Sequence, residues 1–303
     1  MSEGGLRKPE RKPLLLGNKE FWDQSSLDKE LRRQFDVCHS CRRCFNLCDS
    51  FPKLFDLIDE SDSMELDTVE SKSFDDVIDS CTLCDMCFMV SCPYVPPHEF
   101  AIDIPSLFLR HKAIEDRKKL NFIDNQLAKT DSIGKVGLFF NSLFNYSLNK
   151  KNKLIRNVIS YITGIDVSAT LPNFNKNSFK SIFKSVKDKF KHKKNYRDKV
   201  ILFTSCYVNY NDSKIGEAII GVLNKNKVYI EEYYSGCCKM PQLEQGKVVE
   251  VKKEAEKTAR KLKDKINQGF KVIAPIASCA LMLKTHWPLL SPENENVKIL
   301  SEN

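Results

Sequence analysis

The sequence lacks the features that would place a protein in a membrane or direct it to secretion. None of its apolar runs approaches the ~18–20 residues that a helix needs to cross a bilayer. Its start, Met1–Lys12, is polar and contains no apolar segment of the kind found in signal peptides. We therefore expect a cytoplasmic protein, or one that lies peripherally at the inner face of the membrane.

Several familiar catalytic motifs are also missing. The sequence has no Ser-His-Asp set, no phosphate-binding loop and no glycine-rich dinucleotide fingerprint. It therefore shows no residues that would carry out hydrolysis or independent hydride transfer. It has no Cys-x-x-Cys-His, which excludes a c-type haem. With 42% apolar and 29% charged residues over 303 positions, the chain is nevertheless typical of a folded protein of about two domains.

Cysteine is the residue that the sequence contains in unusual number. Twelve cysteines in a reducing compartment indicate metal or redox chemistry rather than disulfides. Eight of them fall between Cys38 and Cys92, and the other four fall between Cys206 and Cys279. This grouping predicts two separate regions of cysteine chemistry.

The first eight cysteines form two similar loops. Each loop has three cysteines at intervals of three and a fourth that is more distant. Such a loop can hold three corners of a cubane [4Fe–4S] cluster, and in two-cluster ferredoxins the fourth ligand comes from the other loop. We therefore predict two [4Fe–4S] clusters. Their ligands are Cys38, Cys41, Cys44 and Cys92 for the first cluster, and Cys81, Cys84, Cys87 and Cys48 for the second.

The setting of these loops bears on the metal and on its reduction potential. Structural zinc usually takes two well-separated pairs of ligands, so three closely spaced cysteines favour a cluster over zinc. Arg42 and Arg43 flank the first loop, whereas Asp85 lies in the second, which predicts the higher reduction potential at the first cluster. The sequence is equally consistent with another interpretation, in which the two arginines form only surface ion pairs.

The last hundred residues alternate between strand and helix patterns. Strands are predicted at Val200–Thr204, Val228–Ile230 and Val272–Ile276, with helices between them, which is the β-α-β-α-β pattern of a parallel sheet. Cysteines follow each strand. Because the carboxyl ends of parallel strands meet at one edge of a sheet, we expect these thiols to converge. They are Cys206, Cys237, Cys238 and Cys279.

Four converging thiols permit two kinds of chemistry. They are candidate ligands of a third metal or iron–sulfur site, and Cys237-Cys238 is also a candidate pair of catalytic redox thiols. The other interpretation is that all four are buried and inert.

These cysteine patterns resemble those of a known family. The spacing of the last four cysteines, with Gly236 before the adjacent pair, is similar to a cysteine-rich CCG domain. The stretches CHSCRRCFNLCDSFPKLFDLID (38–59) and CTLCDMCFMVSCPYVPPHEF (81–100) resemble the iron–sulfur subunits related to heterodisulfide reductase, and among them the C subunits of anaerobic glycerol-3-phosphate dehydrogenases. The chain departs from the CCG pattern at Met282, where that pattern has a cysteine.

The resemblance implies a ferredoxin domain that relays electrons to a CCG domain, in a complex with flavin- or quinone-linked redox partner subunits. Family members usually carry two CCG domains, whereas this chain has one. We expect an α+β multi-domain fold in four parts. These are a polar N-terminal tail (1–29), an α-helical two-cluster ferredoxin domain (30–120), a basic amphipathic helical connector (121–198) and an α/β CCG-type cysteine-rich domain (199–303).

Apolar spacing predicts helices in the first domain and three apolar helical faces in the connector. In the first domain these residues are Phe51, Leu54, Phe55 and Ile58, followed by Phe74, Val77 and Ile78. In the connector they are Val136, Phe139, Phe140, Leu143, Phe144 and Leu148; Ile155, Val158, Ile159 and Ile162; and Phe179, Ile182, Phe183, Val186 and Phe190.

The connector is also strongly basic. Residues 148–199 contain fourteen Lys or Arg against three Asp, a net charge of +11, whereas residues 49–99 have a net charge of −11. The lysine-studded face at 179–190 suits an anionic membrane surface, but it also suits packing on the protein's own domains, which we favour. Because the aromatic residues recur at a helical period, we expect no nucleic acid partner.

These patterns predict an iron–sulfur electron-transfer subunit of an oxidoreductase, with two [4Fe–4S] clusters and a cysteine-rich redox domain. A second hypothesis is an enzyme in which Cys237-Cys238 reduces a disulfide or peroxide with electrons from the clusters. A third is a metal-binding interaction module without redox activity. The sequence does not decide whether the chain is itself an enzyme.

Overall fold

The computed structural model describes residues 9–117, 122–187 and 196–303. The chain divides into two compact units. Unit 1 comprises Met1–Leu120 and Leu243–Val249, and unit 2 comprises Asn121–Gln242 and Glu250–Asn303. Each unit is described by itself below.

The described residues of unit 1 are helical and contain no β-strand. Residues 9–117 of this unit form four α-helices, with a 3₁₀ turn at Lys19–Trp22 before the first of them, two more at Leu66–Thr68 and Ser71–Ser73, and one wider π turn at Cys87–Ser91. The four helices are α1 (Gln24–Cys41), α2 (Ser50–Asp59), α3 (Phe74–Asp79) and α4 (Ile104–Asp116).

Aromatic side chains form the centre of the core of unit 1. Phe35 of α1 is fully buried, and its ring centroid lies 5.0 Å from that of Phe74 and 5.8 Å from that of Phe108, both in edge-on contact. Such pairs add packing energy beyond the area they bury. The predicted apolar faces of α2 and α3 are confirmed. Their buried side chains are Phe51, Leu54, Phe55, Ile58, Phe74, Val77 and Ile78.

Unit 2 begins with short helices in the segment that the sequence predicts as a connector. They are α5 (Phe122–Leu127), α6 (Thr130–Phe139), α7 (Asn141–Leu148), α8 (Lys153–Thr163) and α9 (Phe179–Val186). The sequence pattern predicts one continuous apolar helical face over α6 and α7. The structure has two helices there, because the chain leaves the helical conformation at Phe140.

Helix α9 packs its aromatic face into the core of unit 2. Phe179 and Phe183 are buried together with Leu202, Val208 and Ile220. The prediction that this face packs on the protein's own domain is therefore confirmed, and the membrane hypothesis is wrong for these two side chains. The predicted face continues to Phe190, which lies outside the described residues.

A three-stranded parallel sheet follows. Its strands are β1 (Asp198–Phe203), β2 (Val228–Tyr233) and β3 (Lys271–Ile273), in the spatial order β2-β1-β3. Strand β1 is buried over its last four residues, as expected for a central strand that is covered on both faces. The predicted β-α-β-α-β pattern is confirmed, and with the helical unit 1 it makes the chain an α+β protein.

The helices of this part of the chain complete the fold. They are α10 (Cys206–Tyr210), α11 (Ser213–Lys225), α12 (Met240–Glu244), α13 (Val248–Asn267), α14 (Ala277–Leu281), α15 (Trp287–Leu290) and α16 (Glu295–Glu302), with a π turn at Met282–His286. Among all the helices described, none combines the length and the apolar character needed to cross a bilayer.

Candidate metal centres

The first cysteine loop begins at the C-terminal end of α1. Cys38 and Cys41 lie in the last turn of this helix, which ends because Arg42 adopts a left-handed backbone conformation with φ of 50°. The backbone N–H of Arg42 donates to the carbonyl of Cys38 at 2.8 Å. The chain then continues through Cys44 in a turn instead of extending the helix, and Cys48 precedes α2.

A cavity in unit 1 is lined by cysteines from both loops. Cys38, Cys41 and Cys44 line it from the first loop, and Cys92 lines it from the second. These are the four residues predicted as ligands of the first cluster. The rest of the lining is mostly apolar, and Arg43 is its charged member. The cavity therefore combines four sulfur donors with an apolar wall and one cation.

The second cysteine loop has an irregular backbone. Leu83 and Asp85 adopt positive φ values of 50° and 63°, although neither is glycine, and a wider helical turn begins at Cys87. The backbone N–H of Leu83 donates to Sγ of Cys81 at 3.4 Å. Wide π turns and positive φ at non-glycine residues are found often at functional sites.

The predicted ligands of the second cluster differ in exposure. Cys48 and Cys84 are exposed, whereas Cys81 and Cys87 are partly buried. Within residues 9–117, 122–187 and 196–303, no group of three or more His, Cys, Asp or Glu side chains is arranged so that it could hold a metal ion as it stands.

The thiols of both loops interact electrostatically. Burial, with the like charge of Cys92, raises the pKa of Cys44 from 9.0 to about 11. Burial, with the like charge of Cys48, raises the pKa of Cys81 to about 11. The pKa of Cys38 and that of Cys87 are raised for the same two reasons. Each of these four thiols therefore resists forming a thiolate unless a cation compensates the charge.

Arg11 fixes the second loop, and no sequence pattern points to it. Its guanidinium donates two hydrogen bonds to Asp85, at 2.8 and 3.1 Å, and two to Asp103, at 2.8 and 3.0 Å. It also lies 4.0 Å from the ring centroid of Phe88. Arg11 lies in the segment 1–29 that the sequence predicts as a polar tail, and these contacts join that segment to the second loop. Asp85 is 74 positions away in the sequence, so no local signal marks the pair.

The four C-terminal cysteines follow the carboxyl ends of the three strands. Cys206 begins α10, Cys237 and Cys238 follow β2, and Cys279 lies in α14 after β3. The Sγ atoms of Cys206 and Cys237 are 3.8 Å apart. The structure thus brings together the four thiols that the predicted sheet topology indicates. Met282, where the CCG pattern has cysteine, is fully buried.

Cys237 is the thiol that these contacts favour as a thiolate. Hydrogen bonds from the thiols of Cys206 and Cys238 lower the pKa of Cys237, and the backbone N–H of Lys239 lies 3.3 Å from its Sγ atom. The pKa of Cys206 and that of Cys238 are raised, because each donates to Cys237. One negative charge is therefore stabilised among neighbouring sulfur atoms.

Asp131 holds the loop that carries Cys237, and it too is missed by sequence reasoning. Its carboxylate accepts the backbone N–H of Cys237 at 2.8 Å, and it also accepts the hydroxyl groups of Tyr234 and Tyr210. Gly236 has a φ of 149°, and a Cβ atom there would lie 3.1 Å from Oδ2 of Asp131. A residue other than glycine would therefore be strained at this position and would crowd the carboxylate.

Comparison with known proteins finds a similarity in the C-terminal part of the chain. Residues 200–284 match the family model described as CCG, a cysteine-rich domain. This match confirms the predicted resemblance and covers all four C-terminal cysteines.

Particular relatives carry a functional name. The C subunit of anaerobic glycerol-3-phosphate dehydrogenase from Escherichia coli (strain K12) is 25% identical over 200 residues, which is 65% of this chain and 49% of that protein. The protein of the same name from Escherichia coli O157:H7 gives the same values. The chain thus spans about half the length of the curated relatives it matches. No solved structure matches the chain.

Proposed function

We propose that this chain is an iron–sulfur electron-transfer subunit of an oxidoreductase complex. It would hold two [4Fe–4S] clusters in a ferredoxin-type domain (30–120), linked by the connector (121–198) to a CCG-type redox domain (199–303). The observation that carries the proposal is the cavity lined by Cys38, Cys41, Cys44 and Cys92. A ligand set that takes its fourth member from the other loop is typical of two-cluster ferredoxins.

The chemistry of the donor set supports clusters at this cavity. Thiolate sulfur is the ligand that iron–sulfur clusters take, and the bound iron would stabilise the thiolate of Cys44, which burial and the like charge of Cys92 disfavour. Burial raises the pKa of Cys92, and the backbone N–H groups of Tyr94 and Val95 counteract part of that rise by favouring the thiolate. Hydrogen bonds to ligand sulfur, together with the charge of Arg43 in the cavity wall, favour the reduced state of a cluster.

The second ligand set is supported by electrostatic contacts between the loops. Burial and the like charge of Cys48 raise the pKa of Cys81. The distant cysteine of the first loop is therefore near the second loop. A cluster bound there would supply one-electron transfer, while the protein sets its environment through Arg11 and Asp85.

The names of the relatives support a role within a complex. Both relatives are named as the C subunit of a dehydrogenase, so we propose that this chain also works with redox partner subunits that are flavin- or quinone-linked. With its partners the protein would be cytoplasmic or lie peripherally at the membrane.

Serine variants of two cysteines test the exchange of ligands. After anaerobic purification, the wild-type chain is expected to contain about eight iron atoms in two reducible clusters. Cys92→Ser removes a ligand of the first cluster, and Cys48→Ser removes a ligand of the second. Each variant is expected to lose about half of the iron, and low-temperature paramagnetic resonance is expected to show that the two variants lose different signals.

Two further variants make this experiment decisive. Cys87→Ser is expected to lose the same signal as Cys48→Ser, and Cys279→Ser is expected to retain both signals. If Cys92→Ser and Cys87→Ser instead lose the same signal, each loop holds its own cluster and the exchange is wrong. A colourless protein that contains only zinc would contradict the electron-transfer function itself.

The sequence indicates Cys237-Cys238 as the redox pair of a second candidate function, thiol–disulfide chemistry, and the structure supports this chemistry for Cys237 with Cys206. Their Sγ atoms are 3.8 Å apart, and Cys237 is the favoured thiolate. Reduction of a disulfide substrate consumes two electrons and two protons, and oxidation of this thiol pair to a disulfide releases the same number. Counting thiols before and after treatment with dithionite distinguishes electron transfer from thiol–disulfide chemistry, because only thiol–disulfide chemistry leaves a disulfide that dithionite can reduce.

A further inference from the structure

Helices α6 and α7 attach to the rest of unit 2 through their small and polar residues. Gly134 packs against the ring of Tyr210, and a Cβ atom at Gly134 would come within 2.2 Å of that ring. Gly137 packs in the same way against Phe174. The side chain of Asn145 accepts the backbone N–H of Phe174 at 2.7 Å and donates to its carbonyl at 2.9 Å. Phe144 is the aromatic residue of α7 that also faces inward, with its ring centroid 5.7 Å from that of Phe174. The other large apolar side chains of the two helices that are named below point outward.

Helix α8 is oriented in the same unusual way. Its buried residue is Arg156, whose guanidinium donates to the backbone carbonyls of Asp166, Val167 and Ala169 at 2.9–3.1 Å. A soluble helix normally buries its apolar stripe and exposes its charged residues. In α8 the cation lies inside and the apolar residues lie outside.

The outer surface of the three helices is consequently apolar. Tyr161 is 92% exposed, Leu154 is 84% exposed and Phe139 is 79% exposed. We call this surface the α6–α8 face. Its exposed large apolar side chains are Val136, Phe139, Phe140, Leu143, Tyr146, Leu154, Ile155, Val158, Tyr161 and Ile162. An exposed surface this rich in large apolar side chains indicates a partner or a membrane.

The charge of this segment indicates what covers the face. Residues 132–165 contain no Asp or Glu. Lys135, Lys150, Lys151 and Lys153 are exposed in the same segment. Aromatic and aliphatic side chains beside exposed lysines, without any acidic residue, match the headgroup region of an anionic bilayer.

We propose that the α6–α8 face is a docking surface for an anionic lipid bilayer. The three helices lie in the interface, with their apolar side chains among the acyl chains and the lysines at the phosphate groups. Since none of the described helices can cross a bilayer, the contact is peripheral. The inference rests on the peripheral membrane location proposed above, but it uses none of the cysteines, so its failure would leave the electron-transfer function standing.

Vesicle binding by the full, anaerobically purified chain tests the docking surface. The wild-type chain is expected to sediment with phosphatidylcholine vesicles that contain phosphatidylglycerol, and much less with vesicles of phosphatidylcholine alone. Phe139→Ser/Leu143→Ser and Leu154→Ser/Tyr161→Ser are each expected to weaken partitioning by roughly a hundredfold, at about tenfold for each apolar side chain removed. Lys150→Gln/Lys151→Gln/Lys153→Gln is expected to weaken it by about fivefold per lysine.

Val222→Ser is the matched control. Val222 is 60% exposed on α11 of the same unit but lies outside the α6–α8 face, so this variant is expected to bind vesicles as the wild type does. Unchanged circular dichroism spectra show that all variants are folded. Equal binding by the face variants and the control would overturn the proposal. So would a dimer that forms without vesicles and is dissociated by Phe139→Ser/Leu143→Ser, because the face would then contact a second copy of the chain.

Discussion

The carboxylate of Asp131 is shared by three donors at the edge of the sheet. The backbone N–H of Cys237 and the hydroxyl groups of Tyr210 and Tyr234 all donate to it. Burial, with the negative charge of Asp131, raises the pKa of Tyr234, so this hydroxyl stays protonated and remains a donor. Asp131 therefore acts as a positioning residue, because it fixes the loop on which Cys237 approaches Cys206.

We predict that Asp131→Asn loosens this loop. The amide can accept through its oxygen but not through its nitrogen, so at least one of the donors loses its acceptor, at a cost of about 1–3 kcal/mol in the free energy of unfolding. Urea denaturation measures the loss of stability, and the rate of alkylation of Cys237 by iodoacetamide measures the freedom of the loop. Asp264→Asn, at an exposed position on α13, is the control. If Asp131→Asn and the control agree in both measurements, Asp131 does not position the thiol.

Single ion pairs also change the expected balance of charge around the two proposed clusters. Arg42 lies beside the first loop, but it is exposed and paired with Asp59, so its charge is largely compensated. Asp85 lies in the second loop, but Arg11 neutralises it at 2.8 Å. The predicted difference in reduction potential therefore depends mainly on Arg43, which lines the cysteine cavity.

At the scale of elements, the connector helices divide into two kinds. Helix α9 buries its apolar face, whereas α6, α7 and α8 expose theirs. The sequence patterns of these helices are similar, because each has apolar residues at helical spacing. Periodicity identifies an apolar face, but it does not state which surface covers that face.

Two phenylalanine variants measure this difference between elements. Phe179→Ala removes a fully buried ring of α9 and is expected to cost about 3–5 kcal/mol in the free energy of unfolding. Phe139→Ala removes a ring that is 79% exposed and is expected to change stability by about 0.5 kcal/mol or less. Urea denaturation followed by circular dichroism provides both values. Equal losses in the two variants would mean that α6 also packs its apolar face within the protein.

The elements that could be predicted are those with a local signal. The α2 face at Phe51–Ile58 and the central strand at Val200 follow from apolar spacing, and the convergence of Cys206 with Cys237 follows from sheet topology. The ion pair of Arg11 with Asp85 and the contact of Asp131 with Cys237 could not be predicted in this way. Each joins residues that are far apart in sequence, and neither partner stands in a periodic pattern.

At the scale of the whole molecule, the cysteines give the iron-free protein a particular dependence on pH. Burial in the folded chain disfavours the thiolates, and neighbouring thiolates also repel one another, whereas in the unfolded chain the thiols are solvated and separated. The pKa of Cys44 and that of Cys81 are each about 11 in the folded chain, against 9.0 ordinarily. Between pH 9 and 11 the folded state therefore binds more protons than the unfolded state.

We accordingly predict that the iron-free protein loses stability as the pH rises from about 9 to about 11. Because the folded-state pKa values are raised, the contribution of these thiols is complete below pH 9 and is lost above it, by up to about 1.4 kcal/mol per pH unit for each thiol. Urea denaturation at several pH values measures the slope, and Cys44→Ser/Cys81→Ser is expected to show a shallower one. The same slope in both proteins would contradict the prediction. Iron binding should add a dependence of stability on pH below pH 9, because binding requires thiolates and releases protons. The iron-loaded protein should therefore gain stability relative to the iron-free protein as the pH rises.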